Sequence, residues 1–185
     1  ANGDCILGEK YIPEYVSKLN TKIDKIELVP YVCKPLEETV EDIKEADLIV
    51  LGPGSLYTSV IPNILVEGIP SLLAESNATV FYVCNLMTQP GETDNYNVLD
   101  HVNAIIKHSM KYMIDYVIVN DEKISEELIL NYKYQGAKQV LIDEKQIKEL
   151  EEMNIKVICS NFVDIRKNYI RHNSDKIGQL LLNYI

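Results

Sequence analysis

Residues 47–59 read DLIVLGPGSLYTS, and this stretch predicts the fold of the chain. The uninterrupted apolar run 48–51 has strand length and is typical of a parallel strand that is covered on both faces. Gly52 and Gly54 allow the backbone to turn sharply and a ligand to approach it closely. Ser55 and Thr58 can donate their hydroxyls or cap the following helix. A strand, a small-residue loop and a helix N-terminus together favour an anion, because free backbone N–H groups and the helix dipole attract negative charge.

A second interpretation of the same stretch is a tight β–α turn that ends in a Ser or Thr helix cap. The sequence carries neither the Walker phosphate loop nor the GxGxxG dinucleotide fingerprint, so neither named motif applies. Both interpretations stay open at this point.

The alternation of strand, polar loop and helix continues along the chain. The apolar runs predict strands at 23–29, 47–51, 78–84, 116–119, 139–142 and 155–159. The periodic segments between them predict helices, including 126–134, 144–153 and a terminal helix capped by Ser174. Since ligands of such folds sit at the carboxyl ends of the strands, the loops 52–59, 85–94 and 120–123 are expected to crowd one edge.

This pattern indicates one α/β domain over residues 1–185, with a Rossmann-like, doubly wound, mainly parallel sheet in three α/β/α layers. The opening residues 1–4 read as a hairpin turn that joins 5–7 to a preceding strand. We therefore expect the chain to be the C-terminal portion of a longer domain.

Composition narrows the function classes. The formal net charge of −10 argues against a broad nucleic-acid or anionic-membrane surface. No apolar run has the length that a bilayer span needs. The four cysteines include no CxxC pair, which fits a reducing cytoplasm, and Cys84 and Cys159 are predicted to be buried thiols.

Several residues could carry chemistry. Loop 85–94 offers amides, hydroxyls and the carboxylates Glu92 and Asp94, a set that suits hydrogen bonding to a sugar, ribose or base; the alternative is a polar loop that caps the next helix. His101 is predicted to be a hydrogen-bonded pocket or core residue. Arg171 could bind a phosphate or form a surface salt bridge. Tyr132 could stack on a ring or simply pack.

The chain resembles the YvcK/CofD-like family, on its YvcK side. The matching segments are ADLIVLGPGSLYTSVIPN at 46–63, VCNLMTQPGET at 83–93, DHV at 100–102 and IRH at 170–172, with Gly8-Glu9 and Ile12-Pro13. They span nearly the whole chain. The Gly-rich GGGTG loop with which this family begins is absent from the sequence, so part of the family's ligand site is missing.

The resemblance implies a cytoplasmic bacterial protein that binds a UDP-sugar such as UDP-N-acetylglucosamine. It links gluconeogenic growth to cell-wall synthesis and cell shape, and no cofactor or catalytic residue is implied. The implied ligand residues are Gly52, Gly54, Ser55, Thr58, Asn85, Thr88 and Gln89, with Tyr132 and Arg171 toward the nucleotide. The alternative is a CofD-like 2-phospho-L-lactate transferase of deazaflavin coenzyme synthesis, which would use Mg²⁺, with Glu92 and Asp94 as candidate ligands. A third possibility is a scaffold, and we expect a homo-oligomer.

Overall fold

The computed structural model describes residues 3–185; Ala1 and Asn2, and with them half of the predicted hairpin turn 1–4, lie outside the described residues. The strands are β1 Leu48–Leu51, β2 Thr79–Val83, β3 Tyr116–Asn120, β4 Lys156–Ser160, β5 Val163–Arg166 and β6 Tyr169–His172. The helices are α1 Ile12–Leu19, α2 Glu37–Glu45, α3 Ile61–Ile64, α4 Ile69–Glu75, α5 Val98–His108, α6 Glu126–Tyr134, α7 Glu144–Glu152 and α8 Ser174–Leu181. A π-helical turn spans Leu56–Val60, and short 3-10 turns span Glu9–Tyr11 and Leu182–Tyr184.

The central sheet has four parallel strands in the order β1-β2-β3-β4. Each strand is followed by at least one helix before the next strand, which is the arrangement that parallel pairing requires. This confirms the predicted α/β fold with a parallel sheet between helices.

Apolar residues cover both faces of the sheet. On one face Tyr82, Val117 and Val119 pack with the buried sides of α3, α4, α5 and α7. On the other face Phe81, Val83 and Ile118 pack against α8. The ring of Phe81 stacks on Tyr116 at 4.8 Å and meets the edge of Tyr184 at 4.9 Å between ring centroids. The carboxyl edge of the sheet is thereby held between two helical layers.

Two predicted strand assignments were wrong or incomplete. Residues 23–29 form no strand, because the N–H of Ile26 donates to Nε2 of His108 (3.0 Å) instead of to a neighbouring strand. Residues 139–142 form only a single antiparallel bridge, between Met87 and Gln139, because Oγ1 of Thr88 takes the N–H of Lys138 (2.9 Å) in place of a backbone carbonyl.

The segment 163–172 forms an antiparallel hairpin that the sequence pattern did not predict. Its turn residues Lys167 and Asn168 both have positive φ, 51° and 63°, which is the geometry of the tight turns that match the twist of the strands. The terminal helix was predicted to be capped by Ser174, but it begins at Ser174, and Oδ1 of Asn173 accepts the N–H of Lys176 (3.0 Å). Cys84 is buried as predicted, whereas Cys159 is exposed because β4 is an edge strand.

Helix α5 begins with a reciprocal cap. Oδ1 of Asn97 accepts the N–H of Asp100 at 2.9 Å, and Oδ2 of Asp100 accepts the N–H of Asn97 at 2.9 Å. We expect Asn97→Ala to lower the free energy of unfolding by about 1 kcal/mol, because one N-terminal donor loses its acceptor. Chemical denaturation measures this effect. Ser125→Ala is the control, since Ser125 precedes α6 without a side-chain cap bond, and it should cost less than about 0.5 kcal/mol. Equal losses in both variants would contradict the capping role.

Within residues 3–185 no single helix is long and apolar enough to span a membrane. One bent pair, Leu56–Ile64 with Ile69–Glu75, reaches the required length and composition only jointly, across a bend of 74°.

Candidate ligand site

The loops that follow β1 and β2 meet at the carboxyl edge of the sheet, as predicted. Gly52 has φ +83°, and a Cβ at this position would lie 3.2 Å from the carbonyl oxygen of Val83, so the first loop passes directly beside the end of β2. A Cβ on Gly54 would lie 3.3 Å from Cβ of Ser59. Glycine at both positions therefore lets the backbone lie close to its protein neighbours, whereas the close approach of a ligand stays a prediction.

The hydroxyls of the first loop bond to the second loop and do not cap a helix. Oγ of Ser55 donates to Oε1 of Gln89 at 2.7 Å, and Oγ1 of Thr58 donates to Oε1 of Glu92 at 2.9 Å. The turn that begins after Ser55 is π-helical, and the N–H groups of Ser59 and Val60 both donate to the carbonyl oxygen of Ser55. The two loops form one connected wall.

The second loop is also fixed from its other side. The N–H of Thr88 donates to the carbonyl oxygen of Lys138 at 2.7 Å, and Oγ1 of Thr88 accepts the N–H of Lys138. Asn85 lies where the loop leaves β2. Its Oδ1 is buried without a hydrogen-bond partner among the described residues. This oxygen is an acceptor that the protein leaves unused at the edge where ligands of α/β folds bind.

Tyr132 and Arg171 lie around the hairpin 163–172. The hydroxyl of Tyr132 accepts the N–H of Ile170 at 2.9 Å, and its ring packs with Leu86 and Ile170, so Tyr132 joins α6 to the hairpin. Nε2 of His172 contacts the carbonyl oxygen of Cys84 at 3.1 Å, which places the hairpin against the end of β2. The neighbouring Arg171 is exposed, and its guanidinium carbon lies 5.8 Å from the ring centroid of Tyr169.

A groove of about 630 Å³ adjoins the first loop and reaches α2. Gly52, Pro53 and Gly54 form one side, and apolar side chains such as Leu36 and Ile43 form another. Lys34 is the charged residue in its lining. Lys34 carries no sequence signal of this position, because it lies in an irregular segment and has no motif around it.

His101 is a core residue, in agreement with the prediction. Its side chain is fully buried, Nδ1 lies 2.7 Å from the carbonyl oxygen of Asn97, and its ring meets the edge of Tyr96 at 5.6 Å. Burial lowers the pKa of His101 below its ordinary value, so the ring stays neutral.

The residues present do not fit the Mg²⁺ site of the alternative hypothesis. Glu92 is buried and accepts hydrogen bonds from Tyr57, Thr58 and Gln89, and Oδ2 of Asp94 accepts the N–H of Gly91 at 2.7 Å. No group of three or more His, Cys, Asp or Glu side chains with metal-binding geometry occurs in the described part of the chain.

Similar proteins are found by family model, by sequence and by structure. The family model of 2-phospho-L-lactate transferase CofD matches residues 1–163. The chain is 40% identical over 184 residues to the gluconeogenesis factor of Bacillus subtilis, covering 100% of this chain and 56% of that protein. A Clostridium acetobutylicum protein named after the same factor is 44% identical over 184 residues, with 100% of this chain and 40% of that protein covered.

A crystal structure of a UPF0052-family protein from Bacillus halodurans superposes with a TM-score of 0.91 at 40% identity, covering 98% of this chain and 56% of that chain. The chain spans about half the length of the curated relatives it matches. The match to the family model covers most of the chain and includes both loops of the candidate site. The chain therefore belongs to the CofD/YvcK family, whose curated members similar to it are gluconeogenesis factors.

Proposed function

We propose that this chain binds a nucleotide sugar of the UDP-N-acetylglucosamine type and acts as a regulator. It would link gluconeogenic carbon metabolism to cell-wall synthesis and cell shape, in the cytoplasm and as a homo-oligomer. The names of the curated relatives support the link to gluconeogenesis. The observation that carries the binding proposal is the wall formed by loops 52–60 and 85–93, which combines close-packed glycine backbone in the first loop with the unused Oδ1 of Asn85 in the second.

The chemistry of that wall suits a sugar diphosphate. Backbone next to Gly52 and Gly54 can approach a phosphate closely, and the acceptor Oδ1 of Asn85 can take a sugar or ribose hydroxyl. Ser55, Thr58, Thr88 and Gln89 act in this proposal mainly by shaping the wall. The hydroxyls of Ser55 and Thr58, the side-chain amide of Gln89 and the backbone N–H of Thr88 already donate within the protein. Arg171 is an exposed cation on the hairpin and would contact the diphosphate or the uridine.

Calorimetry with UDP-N-acetylglucosamine tests the proposal. Arg171→Ala should weaken binding by about tenfold, because one charge-assisted contact to the ligand is lost. Arg166→Ala is the matched control: Arg166 lies on the same hairpin and is exposed, but its Nε is paired with Asp164. It should change the dissociation constant by less than about twofold. An absence of binding heat at about millimolar ligand would overturn the proposal.

A second candidate function is phospholactyl transfer, since the matching family model carries the name of that transferase. The carboxylates of Glu92 and Asp94 already accept hydrogen bonds within the protein and do not form a metal site, so they do not favour the transferase function in this chain. Product formation from a nucleotide-diphospho-lactate donor and a deazaflavin acceptor would support it. If the chain binds UDP-N-acetylglucosamine but forms no product in this assay, the regulatory function is the better assignment.

A further inference from the structure

Glu92 connects the two loops through three donors. Its side chain is only 3% exposed. Oε2 accepts the backbone N–H of Tyr57 at 3.2 Å, while Oε1 accepts from Oγ1 of Thr58 at 2.9 Å and from Nε2 of Gln89 at 2.7 Å. Tyr57 and Thr58 belong to the first turn after β1, and Gln89 belongs to the loop after β2. A single carboxylate thus bonds to residues of both loops of the candidate site.

The same carboxylate sets the orientation of Gln89. Because Nε2 of Gln89 donates to Glu92, its Oε1 is turned toward Ser55 and accepts the Ser55 hydroxyl at 2.7 Å. The bonds therefore run in a closed path from Ser55 through Gln89 to Glu92 and back to Thr58, which lies on the same turn as Ser55. Changing the acceptor at position 92 would alter two contacts between the loops and the direction of the amide.

An ionised carboxylate satisfies all three groups as they are oriented, with no reversal of the Thr58 hydroxyl or the Gln89 amide. Tyr57 N–H, Thr58 O–H and Gln89 N–H are donors, and a carboxylate is the side chain that offers acceptors on both of its oxygens and no donor. A protonated acid or an amide would turn a donor toward at least one of them. The ion pairs identified among residues 3–185 do not include Glu92, so these hydrogen bonds are its identified stabilising contacts.

We propose that Glu92 is the positioning residue of the candidate ligand site: its ionised carboxylate holds the turn 55–60 at a fixed distance from the loop 85–93. Glu92 itself contacts no ligand. It accepts the N–H of Tyr57 at the start of the π-helical turn and keeps the amide of Gln89 oriented. The backbone at 52–54 is thereby held in one conformation. The ligand-binding consequence rests on the proposed function, whereas the link between the loops does not.

Glu92→Gln is the test variant, and Asp94→Asn is its matched control. Asp94 follows the same loop and also accepts a backbone N–H, that of Gly91. This hydrogen bond stays within the second loop and does not reach the first. An asparagine retains one acceptor for that N–H. Both variants remove one negative charge, so a difference between them isolates the connection between the loops.

The first readout needs no ligand. In the wild-type chain the amide proton of Tyr57 should show the downfield shift of a bond to a carboxylate, and it should titrate with Glu92. Burial raises the pKa of Glu92 above its ordinary value, and the hydrogen bonds from Thr58 and Tyr57 offset this rise only in part, so the change should occur at a higher pH than for an exposed glutamate. Glu92→Gln should abolish this titration, and Asp94→Asn should retain it.

The second readout is the affinity for UDP-N-acetylglucosamine. Glu92→Gln should weaken binding by about tenfold or more at neutral pH, and Asp94→Asn by less than about twofold. Wild-type affinity should fall on acidification through the Glu92 titration, whereas the affinity of Glu92→Gln should not follow that titration. A Tyr57 amide that is unchanged in Glu92→Gln would overturn the proposal. If the wild-type chain binds no UDP-N-acetylglucosamine, the proposed function fails, and the amide titration still decides the role of Glu92.

Discussion

Gly91→Ala should unfold the chain at a much lower denaturant concentration than the wild type. Gly91 is buried with φ +81°, and a Cβ there would lie 2.1 Å from the carbonyl oxygen of Pro13 and 2.7 Å from Oγ of Ser17. The first contact is with backbone of α1, which cannot rotate away. The strain of a left-handed alanine and the displacement of α1 should together lower the free energy of unfolding by about 3 to 5 kcal/mol.

Gly68→Ala separates the strain of a left-handed alanine from the steric clash with α1. Gly68 has nearly the same φ, +82°, but a Cβ there would meet nothing within 4 Å. This variant should therefore lose only the conformational part, about 1 kcal/mol. Urea unfolding of both variants, followed by far-UV circular dichroism, measures the difference. Similar losses in the two variants would show that α1 does not pack against Gly91.

Mild acid should destabilise the chain through its three histidines. Burial lowers the pKa values of His101, His108 and His172 below the ordinary value. The unfolded chain therefore takes up protons first when the pH falls below about 6.5, and stability is lost from that pH downward. Each histidine can contribute up to about 1.4 kcal/mol per pH unit, so a total loss of about 1 to 3 kcal/mol is expected between about pH 7.5 and pH 5.5.

The contacts of His108 explain the sign of this effect. Nδ1 lies 2.7 Å from the carbonyl oxygen of Ala104, while Nε2 accepts the N–H of Ile26, and a proton on Nε2 would break the second bond. Glu92 acts in the opposite direction, because its raised pKa lets the folded chain bind a proton first. Urea titrations at the two pH values measure the net effect. Stability that stays level or rises toward about pH 5.5 would contradict the burial of neutral histidines.

The sequence predicted the parallel sheet because β1, β2 and β3 are dense apolar runs that end in polar loops. The sequence-based prediction was wrong where the local pattern was overruled by a contact with a distant residue or by an unusual turn. Residues 23–29 read as a strand that ends at Pro30, yet the N–H of Ile26 bonds to a histidine that lies far away in the sequence. The hairpin 163–172 lacks a glycine turn, and Lys167 and Asn168 adopt positive φ without that signal.

The candidate site was predictable to the level of its loops. Strand ends in a parallel sheet share an edge, so loops 52–59 and 85–94 had to approach one another. The pairing of individual donors and acceptors could not be predicted, because it depends on side-chain positions fixed only after packing. Ser55 and Thr58 looked like free hydroxyls or helix caps, and instead they bond to Gln89 and Glu92. The ligand roles of all the predicted site residues, from Gly52 to Arg171, stay predictions.

The sequential order of the strands has a consequence for protein synthesis. Each strand of the sheet pairs with the strand before it, so every new strand that leaves the ribosome finds its neighbour already made. The two loops can join as soon as β2 and α5 exist. The hairpin, with the contact of His172 to the carbonyl oxygen of Cys84, is made only after β4. The carboxyl edge is thus completed after all four strands of the central sheet have been translated, and a complete edge requires translation through β6.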